Sequence, residues 1–171
     1  MAKRTTRKAR RVPAVPVSDN GHENGRPRFE VYVIDSGWKS EAGEVVRESM
    51  ELFTKYLRRH TVYVLTEDQS EEFLQDHPQL LGTDPIVAIL DRAAIERRSR
   101  HGIGARLLLG RLHNRDRVLS LLKMLLRIVN TRHLAEDLPG AVRREVHREG
   151  VSGALEVIMS TSGHIESESG H

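Results

Sequence analysis

The chain has 171 residues, 38% of them hydrophobic, and a formal net charge of +3, which suits one globular domain with tails. It contains no cysteine, which excludes a disulfide framework, a thiolate nucleophile and a zinc–thiolate site. No apolar stretch approaches the roughly 18 residues of a membrane-spanning helix, and the N-terminus lacks the apolar core of a secretory signal. We therefore expect a cytoplasmic protein without membrane contact.

Charge is distributed unevenly along the chain. Residues 1–12 contain six bases and no acid, residues 30–91 contain thirteen acids and five bases, and residues 92–132 contain eleven bases and two acids. A charge run is usually a solvated face, and this is the first interpretation. The second is a basic surface that meets an acidic partner, nucleic acid or another copy of the chain. The arginines of this predicted basic surface are Arg92, Arg97, Arg98, Arg100, Arg111 and Arg115.

The first half of the chain predicts two strands and two helices after an arm. Residues 1–28 are rich in proline, glycine, asparagine and charge, which indicates a disordered basic arm. The run FEVYVID, from Phe29, predicts a strand. Ser40 can cap the next helix. Apolar residues recur at helical spacing as far as residue 57, which predicts a helix of about four turns. TVYVL predicts a second strand. A short helix is predicted to start at Ser70, to continue through FLQDHPQLL and to end at Gly82.

The second half begins with DPIVAIL, an apolar run that predicts a strand in the middle of a sheet. An Arg-rich link over residues 91–104 leads to a short strand, ARLLLG, and to a long amphipathic helix that starts near Asn114. LPG at 138–140 predicts a break in the chain. AVRREVHREG then predicts a short charged helix, and GALEVIMS predicts a last strand. Residues 161–171 are predicted to be disordered. Parallel strands early and an antiparallel pair later give an α/β sheet with helices on both faces.

The order strand, helix, strand, helix, strand, strand, helix over residues 29–130 resembles the thioredoxin-like superfamily. The turn VIDSGWKSE falls where that family carries its redox cysteines, and Pro85 opens the third strand, where the family usually has a cis proline. From base rates alone a trans proline at a strand start is the commoner case. The segment RLHNRDRVLSLL also resembles the KaiB family of bacterial clock proteins, cysteine-free thioredoxin relatives that bind partners.

Composition, together with the extent of the resemblance, predicts four segments along the chain. A disordered basic arm (1–28) precedes a thioredoxin-like domain (29–133), which consists of a mixed sheet flanked by helices. A C-terminal helix and strand extension (134–160) and a disordered tail (161–171) follow.

The turn after the first strand is the predicted binding site. Without sulfur it cannot perform disulfide exchange, which requires an attacking thiolate. Trp38 either folds back over the sheet or forms an exposed anchor for a partner, since tryptophan is enriched in interface hot spots. Serine-based, glutathione-dependent chemistry at Ser36 or Ser40 is a further alternative. The predicted partner-binding residues are Ser36, Gly37, Trp38, Lys39 and Pro85.

Three functional hypotheses follow from these patterns. The leading one is a non-catalytic thioredoxin-like protein that acts through protein–protein contact as a homo-oligomer. The second is a nucleic-acid-associated protein, whose residues 1–12 and basic 92–132 surface contact phosphates. The third is an enzyme with its site at the Ser36–Ser40 turn. The histidines show no metal-ligand spacing, and we predict no metal, no cofactor and no catalytic residue.

Overall fold

The computed structural model of the chain describes residues 28–37, 39–131 and 137–160. Residues 1–27 of the predicted arm, Trp38 and the predicted tail at 161–171 lie outside these ranges. None of the helices in the described ranges is long and apolar enough to cross a membrane.

Five strands form one mixed sheet: β1 (Phe29–Ile34), β2 (Thr61–Val64), β3 (Ile86–Asp91), β4 (Gly104–Leu108) and β5 (Leu155–Ile158). Their order across the sheet is β2-β1-β3-β4-β5. β1 and β2 are parallel, as the strand–helix–strand start predicts. The pairs β1–β3, β3–β4 and β4–β5 are antiparallel. The predicted mixed α/β sheet is therefore confirmed.

Six helices lie between or after the strands in the described part of the chain. They are α1 (Glu41–Glu48), α2 (Met50–Tyr56), α3 (Glu67–Asp76), α4 (Arg92–Glu96), α5 (Arg115–Asn130) and α6 (Leu138–Arg148). Short 3₁₀ turns occur at Pro78–Leu80, Leu109–Arg111 and Ser152–Ala154.

Side-chain caps set where the helices begin. The Ser40 hydroxyl accepts from the amide of Gly43 at 3.0 Å, as predicted, and starts α1. The helix predicted to run to residue 57 is divided at Ser49, which is buried. Its amide donates to the carbonyls of Val45 and Val46 in the preceding turn. α2 continues the apolar stripe beyond this break.

Two further starts differ from the sequence prediction. α3 begins one turn earlier than expected, because Thr66 and Gln69 form a reciprocal capping box. LPG starts α6 rather than breaking the chain: Asp137 accepts from the Gly140 amide at 2.9 Å, and Pro139 lies in the first turn, where a missing amide costs nothing.

The sheet has two faces that bury different cores. On the first face, sheet residues such as Val31, Ile89 and Leu107 pack with side chains of α1, α2, α5 and α6 in one large cluster. On the second face, Ile34, Ile86 and Leu108 pack with Leu74 of α3 and with Leu80 in a much smaller cluster. Helices therefore contribute to cores on both faces, as predicted, but unequally.

The segment predicted as a C-terminal extension belongs to the same core. Leu138, Val142 and Val146 of α6 are fully buried in the first-face cluster. β5 adds to the edge of its own sheet, where it pairs with β4 in antiparallel orientation. The strand is shorter than the predicted GALEVIMS segment, because residues 152–154 form a 3₁₀ turn before it.

Candidate functional site

The turn that follows β1 is held against the loop that precedes β3. The Ser36 hydroxyl donates to Oδ2 of Asp84 at 2.5 Å, and the Ser36 amide donates to the same oxygen at 3.2 Å. Both residues are buried, with 8% and 9% of their surface exposed. A hydrogen bond to a charged acceptor in such a setting contributes more than a neutral one. No sequence pattern indicates this pair, since 48 positions separate its members.

Asp35 ties the same turn to two helices. Its amide donates to the buried hydroxyl of Ser70 in α3 at 3.1 Å. Its carboxylate accepts from the Gly37 amide at 3.1 Å and from the Arg47 guanidinium of α1 at 2.8 Å. The turn is thus fixed to α1, to α3 and to the loop before β3.

Gly37 has a backbone conformation that suits glycine. Its φ is +80°, in the left-handed region that other residues rarely adopt. A β-carbon there would lie 2.7 Å from Oε1 of Glu67, the first residue of α3. The conformation favours glycine at this position, whereas the exposed Glu67 side chain could move aside.

Pro85 belongs to the same loop as Asp84, the residue that binds Ser36. The Asp84–Pro85 peptide bond is cis, which base rates alone disfavour. The Pro85 carbonyl accepts from the Leu109 amide at 2.9 Å, and the Thr83 carbonyl accepts from the Gly110 amide at 3.0 Å. A β-carbon at Gly110 would collide with the backbone of Thr83 and Asp84. The residues after β4 therefore hold the cis-proline loop in place.

Of the five predicted partner-binding residues, the structure brings Ser36, Gly37 and Pro85 together through Asp84 and its neighbours. Lys39 lies exposed on the outer side of the turn. Trp38 lies outside the described residues. In the described ranges, no three metal-ligating side chains form a group that could hold a metal ion.

Three of the six arginines of the predicted basic surface are used within the fold. Arg92 pairs with Glu30 at 3.0 Å, and Arg111 donates to the carbonyl of Gly153 at 2.8 Å. Arg115 contacts two carboxylates of α1, at 3.0 and 2.9 Å, and the nearer of these, Glu48, raises the pKa of its guanidinium. These arginines connect elements of one chain.

The other three, Arg97, Arg98 and Arg100, lie exposed in the loop between α4 and β4. Within the described part of the chain they form no ion pair. The loop continues through His101 to Gly102, which contacts β5 and α6. Of the six arginines, these three present charge that the described fold leaves unneutralised.

Sequence reasoning missed a second feature, an open groove between α6 and β5. Its volume is about 740 Å³. The residues that line it are Gly140, Arg143, Arg144, His147, Ser152, Leu155 and Val157. The spacing of the α6 residues, three, four and seven positions from Gly140, was the available signal, because such positions share one helix face.

Sequence reasoning also missed an aromatic pair on the second face of the sheet. Tyr32 of β1 and Tyr63 of β2 are in register, and their rings stack with centroids 4.8 Å apart. The pairing of β1 with β2 brings them together, and neither strand reveals this alone.

We compared the chain with protein-family models, curated proteins and solved structures, and nothing matches in any of the three comparisons. Function is therefore inferred from the geometry and chemistry of the chain itself. In the described part of the β1–α1 turn, Asp35 and Ser36 are hydrogen-bonded to neighbouring elements, and the α6–β5 groove is open.

Proposed function

We propose that the chain is a non-catalytic, thioredoxin-like protein that binds a partner protein through the surface around the β1–α1 turn. The observation that carries the proposal is the anchoring of Ser36 on Asp84. The Ser36 hydroxyl is buried and hydrogen-bonded, so a dissolved substrate has little access to it, and the half-buried Ser40 hydroxyl is engaged in capping α1. With no cysteine in the chain, the turn offers a fixed shape rather than a nucleophile.

Several features support the thioredoxin-like part of the proposal. The sheet combines the parallel β1–β2 pair and the antiparallel β3–β4 pair that the family resemblance implies. Pro85 has a cis peptide bond just before β3. A long helix, α5, follows β4 and packs on the first face of the sheet. This arrangement places the β1–α1 turn beside the proline loop.

We also propose that the protein forms a homo-oligomer, with the uneven charge along the chain as the supporting feature. The apolar stripe of α5 gives no support for this, because side chains of the same chain cover it. Sedimentation velocity tests this part directly. We expect the sedimentation coefficient to rise with concentration; a monomer at every accessible concentration would contradict it.

Site-specific cross-linking tests the binding role of the turn. A photoreactive amino acid replaces Lys39, which is exposed on the turn, and the full chain is irradiated in its native cell. We expect a discrete cross-linked protein product. The matched control places the same group at Lys123, an exposed position on α5. Equal labelling from both positions, or none from position 39, would remove the support for this surface.

A second candidate function is nucleic-acid binding, which the exposed Arg97, Arg98 and Arg100 favour. Such binding would be electrostatic and would weaken steeply with salt. It predicts retarded migration of DNA or RNA at low salt, reduced by replacing the three arginines with alanine and by removing residues 1–12. No retardation at low salt would exclude it.

A further inference from the structure

The middle of the second face of the sheet lacks the cover that its end receives from α3. At that end, Ile34, Ile86 and Leu108 are at most 3% exposed, in the cluster that includes Leu74 of α3. The neighbouring row on this face crosses all five strands in register and consists of Tyr63, Tyr32, Ala88, Arg106 and Glu156. Among the described residues, no member of this row, which we call the tyrosine row, belongs to either apolar cluster.

The tyrosine row contains an aromatic surface at the side of β1 and β2. The rings of Tyr32 and Tyr63 stack with centroids 4.8 Å apart. The Tyr32 hydroxyl donates to Glu30 at 3.0 Å, which fixes the orientation of the first ring and, through the stack, that of the second. Tyr63 lies on the edge strand and is half-buried, so part of its side chain is accessible for a further contact.

The charges in and beside the tyrosine row are paired with one another. Glu30 contacts Arg92 at 3.0 Å, and Arg106 contacts Glu156 at 3.7 Å. Because these charges are balanced, the row suits an uncharged apolar segment better than an ion.

α3, which packs on the same face, is strongly acidic. It contains no base, and its exposed acids are Glu67, Asp68, Glu71, Glu72 and Asp76. In the described part of the chain none of the five forms an ion pair. A basic segment that extended past the tyrosine row toward α3 would be attracted to it.

The arm joins the fold at the end of β1 that is remote from α3. The Arg28 carbonyl accepts from the Arg92 amide at 2.9 Å, and the Arg28 guanidinium donates to both carboxylate oxygens of the buried Asp91, at 3.3 and 3.0 Å. Arg28 is thus fixed where β1 begins. Tyr32 lies four residues further along, about 13 Å away. Ile34, in the cluster beneath α3, lies beyond it.

The arm has a composition that fits this path. Residues 12–17 read VPAVPV, its longest apolar run, and residues 1–12 carry six bases and no acid. Residues 18–27 can span about 33 Å when extended, which exceeds the roughly 13 Å from Arg28 to Tyr32. With residues 12–17 at the tyrosine row, the bases that precede them would extend toward α3.

The spacing of the two prolines suits an aromatic surface. Pro13 and Pro16 are three positions apart, and a polyproline II segment has three residues per turn, so both rings lie on one side of it. Segments of this PxxP type bind surfaces lined by aromatic side chains. Proline also restricts the backbone before binding, which lowers the entropy cost of docking.

We propose that residues 12–17 of the arm dock on the tyrosine row of their own chain, with the basic residues before them directed toward α3. The docked arm covers this part of the second face, so that an external ligand has to displace it. The proposal concerns a different surface from the β1–α1 turn and does not depend on the function proposed for that turn. It requires order in six arm residues that composition alone predicts to be disordered.

Paramagnetic relaxation enhancement in NMR spectra of the full chain tests the proposal. Because the chain has no cysteine, Ala9→Cys provides a single attachment point for a nitroxide spin label. We expect the amide signals of Tyr63 and Ala88 to lose most of their intensity. The signal of Lys123, exposed on α5 at the first face, should lose little. Equal losses on the two faces would overturn the proposal.

Variants of the arm test the proline contact. Pro13→Ser combined with Pro16→Ser removes both rings and should abolish the loss of intensity at Tyr63. Asn20→Ser combined with Asn24→Ser changes two arm residues outside the apolar run and should leave the loss as it is. If the proline variant keeps the loss, or if both pairs abolish it, the prolines do not hold the arm and the proposal fails.

Variants of the folded part locate the site. Tyr63→Ala should remove the broadening observed at Ala88, whereas Tyr56→Ala, at an exposed tyrosine of α2, should not. Glu71→Lys should lower the ratio of docked to undocked arm about threefold, the size expected of one surface charge pair. Glu149→Lys, which changes the net charge equally at the end of α6, should leave this ratio unchanged. Equal effects within either pair would refute the site.

Two other occupants give results that contradict the proposal. The first is the arm of a second copy. It would broaden the Tyr63 signal of isotope-labelled chain without a spin label when spin-labelled chain is added. The second is a proline-rich segment of another protein. It is indicated if the spin label has no effect in its own chain while an added peptide, RRVPAVPVSD, shifts the Tyr63 signal.

Discussion

The two faces of the sheet are covered to very different extents. The first face packs against α1, α2, α5 and α6, and it holds most of the fully buried side chains. Among the described residues, the second face has an apolar cluster only near α3 and the β1–α1 turn. Elsewhere it carries the Tyr32–Tyr63 stack and the Arg106–Glu156 pair. Stability should therefore reside mainly on the first face.

The largest effect should come from the first face. Phe53 of α2 is fully buried, and Phe53→Ala removes a large ring from the main cluster. We expect a loss of about 3–5 kcal/mol in the free energy of unfolding, measured by urea denaturation. A loss below about 1 kcal/mol would mean that this face does not carry the stability of the fold.

The hydrogen bond between Ser36 and Asp84 should contribute less to the free energy of unfolding than a side chain of the main core. Ser36→Ala removes the hydroxyl that donates to Asp84 and leaves a buried carboxylate with one hydrogen bond fewer. We expect about 1.5–3 kcal/mol of destabilisation, the range for hydrogen bonds to charged groups. Thr54→Ala, at an exposed α2 hydroxyl bonded to the Met50 carbonyl, is the control. Similar values for the two variants would show that Ser36 is not a special anchor.

The open part of the second face should tolerate change best. Tyr63→Ala removes one partner of the stacked pair from the edge strand β2. Because the ring is only partly buried, we expect about 1 kcal/mol of destabilisation, mostly from the lost stacking. A cost equal to that of Phe53→Ala would show that the second face has a cover outside the described residues.

The smallest effect is a pH dependence at the rim of the first face. Burial lowers the pKa of His60 from its ordinary value of 6.5; the Val129 carbonyl opposes this, and Arg59 and Arg28 add to it. Its Nδ1 is buried and has no hydrogen-bond partner. The unfolded chain binds the proton more readily, so this contribution to stability is complete above pH 6.5 and decreases as the pH falls below it.

His60→Phe tests this dependence, since it keeps a flat ring beside Phe29, whose centroid lies 5.3 Å away, and removes the titration. Melting temperatures are compared between neutral and mildly acidic pH. We expect the variant to lose less stability on acidification than the original chain. An identical decrease in both would place the pH dependence at other groups.

The sequence predicted the elements that local chemistry determines. The Ser40 cap, the alternating β1 and the amphipathic α5 depend on neighbours along the chain, and the structure confirms them. Two caps were missed although their signals are local: Thr66 with Gln69, and Asp91 before α4. The interpretation of LPG as a break was wrong, because proline in a first turn does not interrupt a helix.

The site was predictable only in part. The resemblance drew attention to the β1–α1 turn and to Pro85, and the structure places them together. The hydrogen-bond partner of Ser36 could not be predicted, because Asp84 lies in the loop before β3 and no sequence periodicity links the two residues. The basic surface was overestimated: counting charge cannot show that Arg92 and Arg115 are paired with glutamates from the acidic half of the same chain.

The hydrogen bonds of Asp35 and Ser36 have a consequence for how the turn would bind. They join the corner to α1, α3 and the proline loop, so its backbone has little conformational freedom left to lose. Ordering a flexible loop on binding costs conformational entropy at many interfaces. Here these residues are already ordered when the chain folds. A partner that docks at Asp35 and Ser36 would meet a backbone that is already in its bound conformation. The association rate should then depend on how far the partner itself must rearrange.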